Sequence, residues 1–161
     1  MKNDFRGTRE DGSPVLISVL PTLLVTAIGH VEDVAKSSDT SFKFEGDSIY
    51  LVGEFGSGSL VSSTLSECFS IGNDDIVPAL SLEGNLKTYK TLYQTIKKGL
   101  CRSVHDVSEG GILVSVVESM IGGEKGASLD FGNIKMNLHR FCFNEMSGRF
   151  IVSVAPAISI F

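Results

Sequence analysis

The sequence predicts an α+β domain, a mixed β-sheet with helices packed on it. Short apolar, β-branched runs recur at residues 22–29, 48–53, 101–105 and 149–154. Two segments, 84–98 and 109–121, instead place apolar residues at helical spacing. Helices and strands do not alternate strictly, which argues against an all-parallel α/β sheet.

Taken in order, residues 1–14 are polar and read as an arm or loop, or as the end of a preceding domain. Residues 15–161 then form the domain itself. Within it, residues 22–29 (TLLVTAIG) read as a buried strand, apolar on both faces and ended by glycine. Residues 30–41 are a charged surface connection, and Glu45-Gly46-Asp47 is a turn signal. Residues 48–53 form a second strand. A Gly/Ser loop containing Gly53, Gly56 and Gly58 leads to a helix near 60–68, and residues 70–83 are irregular around Pro78.

Residues 84–98 are the clearest helix, with Leu86, Tyr89, Tyr93 and Ile96 on one face and Lys97-Lys98-Gly99 closing it. Residues 101–105 form a third strand. The helix over 109–121 has Ile112, Val116 and Met120 on its apolar face, widened by Leu113, Val117 and Ile121, and Gly122-Gly123 ends it. A fourth strand follows at 127–131, a short helix at 136–143 and a fifth strand at 149–154.

Composition narrows the function. A chain of 161 residues with 42% hydrophobic and 20% charged residues can bury one core and is not disordered. The formal charge of −5 comes without a Lys/Arg stripe, which argues against a nucleic-acid partner. The apolar run 15–28 is shorter than the ~20 residues that cross a bilayer and contains Pro21, so no membrane span is expected. Residues 1–4 are polar, unlike a signal peptide. Cys68, Cys101 and Cys142 are odd in number and lack metal-ligand spacing, as expected of reduced thiols in a cytoplasmic protein. His30, His105 and His139 are scattered, so no metal site is assigned.

Two motifs carry chemistry. In Asp106-Val107-Ser108-Glu109-Gly110-Gly111 a strand turns into a helix. Ser108 is placed to cap that helix, and the glycines allow close approach of the backbone. The turn is either a capped helix start or a ligand-facing loop. Because Asp106 and Glu109 would repel a bare phosphate, a metal–phosphate or a donor-bearing polar substrate suits it better. His105 reads as a strand-end histidine. In Glu145-Met146-Ser147-Gly148-Arg149 a polar cluster separates two apolar segments. It is either a simple connection or an anion grip, with Arg149 supplying a planar fork of donors. The loop 53–59 is not a Walker A loop. No self-contained catalytic constellation stands out, so no catalytic residue is assigned.

Together these strings resemble the C-terminal-type domain of the aminoimidazole ribonucleotide synthetase-like superfamily, and more closely the phosphoribosylformylglycinamidine synthase family. The resemblance runs through residues 21–29, Glu32-Asp33-Val34, Phe42-Lys43, Gly46-Asp47, residues 49–53 and Leu86-Lys87-Thr88-Tyr89. It continues through His105-Asp106-Val107-Ser108-Glu109-Gly110-Gly111, Gly122-Gly123, Phe143-Asn144-Glu145 and Gly148-Arg149-Phe150. It implies part of a cytoplasmic, ATP- and Mg²⁺-dependent ligase of purine biosynthesis. In that family's chemistry the formyl amide oxygen is phosphorylated and ammonia displaces phosphate.

The resemblance also implies partners: a preceding ATP-binding domain, the other half of the synthetase and a glutaminase domain or subunit. This domain would wall a nucleotide or substrate site and be inactive alone. The ligand-facing residues it suggests are Asp106, Ser108, Gly110, Gly111, Glu145, Ser147, Gly148 and Arg149, with ATP/ADP or a substrate phosphate as ligand. Gly148-Arg149 after Glu145-Met146-Ser147 is more similar to the enzyme's second half, which carries an auxiliary nucleotide site. Met146 stands where the first half's substrate loop has serine, and Phe55-Gly56-Ser57-Gly58-Ser59 replaces the family's Leu-Gly-Gly-Ser string. The chain is expected to be a fragment or excised domain. The rival readings are a selenophosphate synthetase or thiamine-phosphate kinase-like enzyme, and a non-catalytic assembly module.

Overall fold

The computed structural model describes residues 4–18, 23–55, 58–69, 71, 76–77 and 80–156. The chain divides into two compact units, Met1–Glu32 and Asp33–Phe161.

In the first unit, β1 (Phe5–Thr8) and β2 (Pro14–Ile17) pair antiparallel, Phe5 opposite Ile17 and Thr8 opposite Pro14. Residues 5–8, expected as polar arm, are therefore strand. The turn explains it: Arg9 N–H donates to the Ser13 carbonyl at 2.9 Å, Gly12 takes φ +82, and Asp11 Oδ1 accepts from the Ser13 amide and hydroxyl. The buried strand expected over 22–29 is not seen. Residues 23–29 have no regular structure, with Leu24 90% and Ile28 96% exposed, and Thr22 lies outside the described residues. A run of strong β formers becomes a strand only where a neighbour completes its ladder, and none of the described strands pairs with it.

The second unit is a three-stranded sheet in the order β3-β5-β4, made of β3 (Ser48–Val52), β5 (Phe150–Val154) and β4 (Ser103–Asp106). Both pairings are antiparallel: Ile49 faces Ser153, Leu51 faces Ile151 and His105 faces Ile151. Helices α1 (Thr64–Phe69), α2 (Leu82–Lys97), α3 (Gly111–Gly123) and α4 (Leu138–Phe143) complete the unit. The α+β class holds, with helices packed on both faces of the sheet. Alternation along β3 and β5 sends Ile49, Leu51 and Ile151 to one face, against Ile112 and Val116 of α3 and Phe141 of α4. Val152, Val154 and Tyr50 go to the other face, against Leu92 and Ile96 of α2.

Three helical expectations change in detail. Helix α2 buries Asn85, Leu92 and Thr95, whereas Leu86, Tyr89 and Tyr93 are about half exposed. Asn85 sits so close to Gly148 that a Cβ there would lie 2.2 Å from Asn85 Oδ1, and this contact fixes the rotation of α2. Helix α3 begins at Gly111, and its N-cap is Gly110 at φ +78, so Ser108 is not the cap. Two successive left-handed glycines carry the chain past Ser108 before helical geometry starts. Val117 and Ile121 of α3 are exposed, while Ser115 and Ser119 are buried. Their hydroxyls donate to the Gly111 and Ser115 carbonyls at 3.1 and 2.9 Å, so the sheet can approach without leaving polar atoms unpaired.

Residues 127–131, expected as a strand, have no regular structure. Ala127 and Phe131 still pack on the core, but no strand pairs with the segment among the described residues. The expected turn at 45–47, the strand at 48–53 and the short helix before Phe143 are all seen, the last capped by Asn137, which accepts from Arg140 N–H at 3.2 Å.

A platform at the end of the sheet

The two sequence motifs converge. β4 ends at Asp106 opposite Phe150, the first residue of β5. Just beyond this pair, Val107 N–H donates to the Arg149 carbonyl at 2.9 Å, which ties the end of one motif to the other. Glu145 Oε1 then accepts from Gly110 N–H at 2.7 Å and from Thr64 N–H, the first residue of α1, at 2.8 Å. A single carboxylate oxygen thus sits against the starts of two helices, where negative charge is favoured.

Glycines bring the backbones together. A Cβ on Gly111 would lie 2.6 Å from the Cys142 carbonyl oxygen, and one on Gly53 would lie 2.4 Å from that of Gly148. The 53–59 loop joins the same assembly: Asn144 Nδ2 donates to the Ser59 carbonyl, and Arg140 donates to that of Gly58 at 3.4 Å. Gly56 and Ser57 lie outside the described residues.

Arg149 lies beneath the platform and is 3% exposed. Its Nε donates to the Met146 carbonyl at 3.2 Å, and Nη2 donates to that of Asn144. Among the described residues no carboxylate pairs with it, and burial pulls its guanidinium down to about 10. The cation therefore folds the 144–149 turn around itself and leaves a positive charge under the surface.

The predicted site residues fall into two sets. Asp106, Ser108 and Ser147 are exposed at the surface of the platform. Gly110, Gly111, Glu145, Gly148 and Arg149 build it from within. The Gly111 N–H is taken by the Ser108 carbonyl at 3.1 Å, and the Gly110 N–H by Glu145. Sequence reasoning missed Asn85 and Asn144, each buried and each bonded or packed across the site. It also left His105 as a plain strand end. His105 Nε2 lies 3.0 Å from Glu118 Oε2 and Nδ1 lies 3.5 Å from Asp106 Oδ1, so the ring stands between α3 and the end of β4. The local signal for Asn144 was a polar pair directly after the apolar 141–143. Asn85 gave none.

Cys142 is buried, Cys101 half-buried and Cys68 exposed, all unbridged. Among the described residues no group of three or more His, Cys, Asp or Glu side chains gathers to hold a metal ion, and no helix is long and apolar enough to cross a membrane.

The chain has relatives among known proteins and solved structures. Phosphoribosylformylglycinamidine synthase subunit PurL of Zymomonas mobilis is 30% identical over 156 residues, which are 97% of this chain and 21% of that protein. The chain thus spans about a fifth of the length of this curated relative. Among solved structures, Thermotoga maritima PurL complexed with FGAR superposes with a TM-score of 0.58 at 17% identity, covering 76% of this chain and 22% of that one. T. maritima PurL complexed with ATP gives a TM-score of 0.53 at 15% identity over 76% of this chain and 20% of that one. These structural likenesses establish the fold. The family model described as "AIR synthase related protein, C-terminal domain" matches residues 45–158, which include every predicted site residue, and the chain belongs to that family.

Proposed function

We propose that the chain serves as the C-terminal-type domain of a phosphoribosylformylglycinamidine synthase and walls a nucleotide or substrate site of that ATP-dependent ligase. The observation that carries this reading is the convergence of the 106–111 and 144–149 turns over a buried, uncompensated Arg149. A positive charge beneath a polar surface suits an anionic group such as a phosphate. Asp106, Ser108 and Ser147 would meet the polar parts of the ligand. Gly110, Gly111, Glu145 and Gly148 would hold the two turns in place, and Arg149 would supply the field. The names of the relatives favour the purine enzyme over a selenophosphate synthetase or a thiamine-phosphate kinase-like protein.

ATP or ADP is the nucleotide this reading implies, with Mg²⁺ supplied as the nucleotide's counter-ion rather than by a cage of side chains. A bound nucleotide would contribute the phosphoryl group that activates the substrate amide. This chain's own contribution is binding and orientation. In the intact protein, the unit Met1–Glu32 with its β1–β2 hairpin would follow a preceding ATP-binding domain, and Asp33–Phe161 would form the body of this one. The other half of the synthetase and a glutaminase domain or subunit would be its partners, in the cytoplasm. The exposed Leu23, Leu24 and Ile28 suit such a neighbour.

Calorimetric titration of the chain with Mg²⁺·ADP, and separately with formylglycinamide ribonucleotide, tests the reading. Saturable binding of either is expected, weakened at least about tenfold in Arg149→Lys, because an ammonium lacks the planar fork that holds the Asn144 and Met146 carbonyls and the 144–149 turn loosens. Binding indifferent to Arg149→Lys would refute the assignment of Arg149. Amidine formation by the chain alone, from ATP and ammonia, would refute the view that it is one wall of a larger site.

A further inference from the structure

His105, the third residue of β4, has a side chain that is 13% exposed. Its register partner on β5 is the apolar Ile151. From α3, Glu118 Oε2 lies 3.0 Å from Nε2, and on its own strand Asp106 Oδ1 lies 3.5 Å from Nδ1. α3 is tied to this end of β4 one turn before Glu118, where Ser115 Oγ donates to the Asp106 carbonyl at 3.1 Å. Segment 39–43 runs beside β4, the Asp39 carbonyl accepting from Val104 N–H at 2.9 Å, and its charges, Asp39 and Lys43, are paired with each other. Glu145 is taken up by the amides of Gly110 and Thr64. Glu118 and Asp106 are therefore the two charges that face the ring.

The two ring nitrogens differ. A carboxylate only accepts, so the hydrogen of the neutral ring sits on Nε2, toward Glu118. Nδ1 is buried and, among the described residues, makes no hydrogen bond. In the neutral ring it is a bare lone pair facing an oxygen that bears lone pairs too. A buried acceptor in that state bears its desolvation cost with no bond in return. A proton on Nδ1 removes the conflict, because both nitrogens then donate, each toward a carboxylate. The Asp106 side chain is 65% exposed, so it can turn and close the remaining gap to about 2.8 Å.

We propose that His105 is a positioning residue for the platform, a proton-dependent latch whose Nδ1 draws the Asp106 carboxylate inward when protonated and releases it when bare. A latched Asp106, its charge offset by the imidazolium, repels an approaching phosphate less than a free one does. That consequence rests on the proposed function, whereas the latch itself rests on the geometry of the ring.

A heteronuclear titration of the ¹³C,¹⁵N-labelled chain between about pH 5 and 9 tests the latch without any ligand. Nδ1 is the nitrogen whose shift should move most, Nε2 keeping its hydrogen throughout. The Asp106 carboxyl carbon should follow the same curve, in a range where an isolated aspartate is already ionised. Asp106→Asn should move the midpoint of the ring at least about 0.5 pH unit lower, because the imidazolium loses a negative neighbour. A neutral ring with its hydrogen on Nδ1, a carboxyl carbon that ignores the ring, or a midpoint unmoved by Asp106→Asn would each overturn the latch. For the ligand, the affinity of the chain for Mg²⁺·ADP relative to that of His105→Gln should rise at least about threefold from above the midpoint to below it. A constant ratio would overturn the positioning role. Absence of binding at every pH would refute the proposed function, and the ring and carboxyl curves would still decide the latch.

Discussion

Glu145 and Gly110, 35 residues apart in the chain, are joined by a 2.7 Å hydrogen bond from the glycine amide to the carboxylate. The same oxygen accepts from Thr64 N–H. One side chain therefore holds together the starts of α1 and α3 and the turn before β5. Glu145→Ala would leave two amides at helix starts without their acceptor, and we predict a loss of about 1–3 kcal/mol in urea unfolding. Glu145→Gln keeps an acceptor oxygen and loses the charge, so it should cost about 0.3–1 kcal/mol. Equal costs for the two variants would mean that the hydrogen bonds carry no weight.

Gly148 is held at φ +83 against Asn85. Gly148→Ala incurs both backbone strain, about 1–2 kcal/mol, and a collision with Asn85. We expect a total loss of about 2–4 kcal/mol. Adding Asn85→Ala removes the collision and should recover part of that loss, a non-additivity of at least about 0.5 kcal/mol in a double-mutant cycle. Strict additivity would contradict the close packing of α2 on this turn.

Asp11 and Asp39 are both lowered on folding, and of the two Asp39 is the one held by an ion pair. Asp39 is held below the usual carboxylate range by the Lys43 ammonium and the Ser41 amide. A carboxyl lowered on folding contributes stability above its ordinary value of 3.8, and that contribution is lost as pH falls through the lower folded value. Because the pair is exposed, the effect should stay below about 1 kcal/mol. Asp39→Asn should flatten the fall in stability below pH 3.8 by that amount, measured as urea midpoints across the acid range.

Thiol reactivity should follow burial. Burial pushes the Cys142 and Cys101 thiols up, which lowers their thiolate fraction, whereas Cys68 is exposed. Iodoacetamide at pH 8 should label Cys68 first and Cys142 last. Early labelling of Cys142 would show that α4 is not packed as described.

Much of the second unit was legible because its elements have local causes. The 48–53 and 149–154 runs are β-branched, and 84–98 and 109–121 have helical apolar spacing with glycine stops. The first miss was local and the next two non-local. The β1–β2 hairpin depends on the Asp11–Ser13 turn, which polar composition concealed. The apolar run after Thr22 promised a strand, yet a strand exists only with a neighbour to pair with. The buried face of α2 was misjudged because Asn85, a polar residue, is set inward by Gly148 far along the chain.

At the site, the two motifs were recognisable as strings, but the division of labour within them was not. Nothing near Glu145 in sequence indicates that its partners are Gly110 and Thr64. Nor does the position of Arg149 at the head of a strand reveal that it is almost wholly buried.

The central claim is that the 106–111 and 144–149 turns form one ligand-facing platform. The most direct test follows backbone amide shifts of the ¹⁵N-labelled chain during titration with Mg²⁺·ADP and then with formylglycinamide ribonucleotide. The account predicts that at least one of the two moves amides of both turns together, along one saturation curve. Shifts confined to one turn, shifts elsewhere in the chain, or none with either ligand would contradict it.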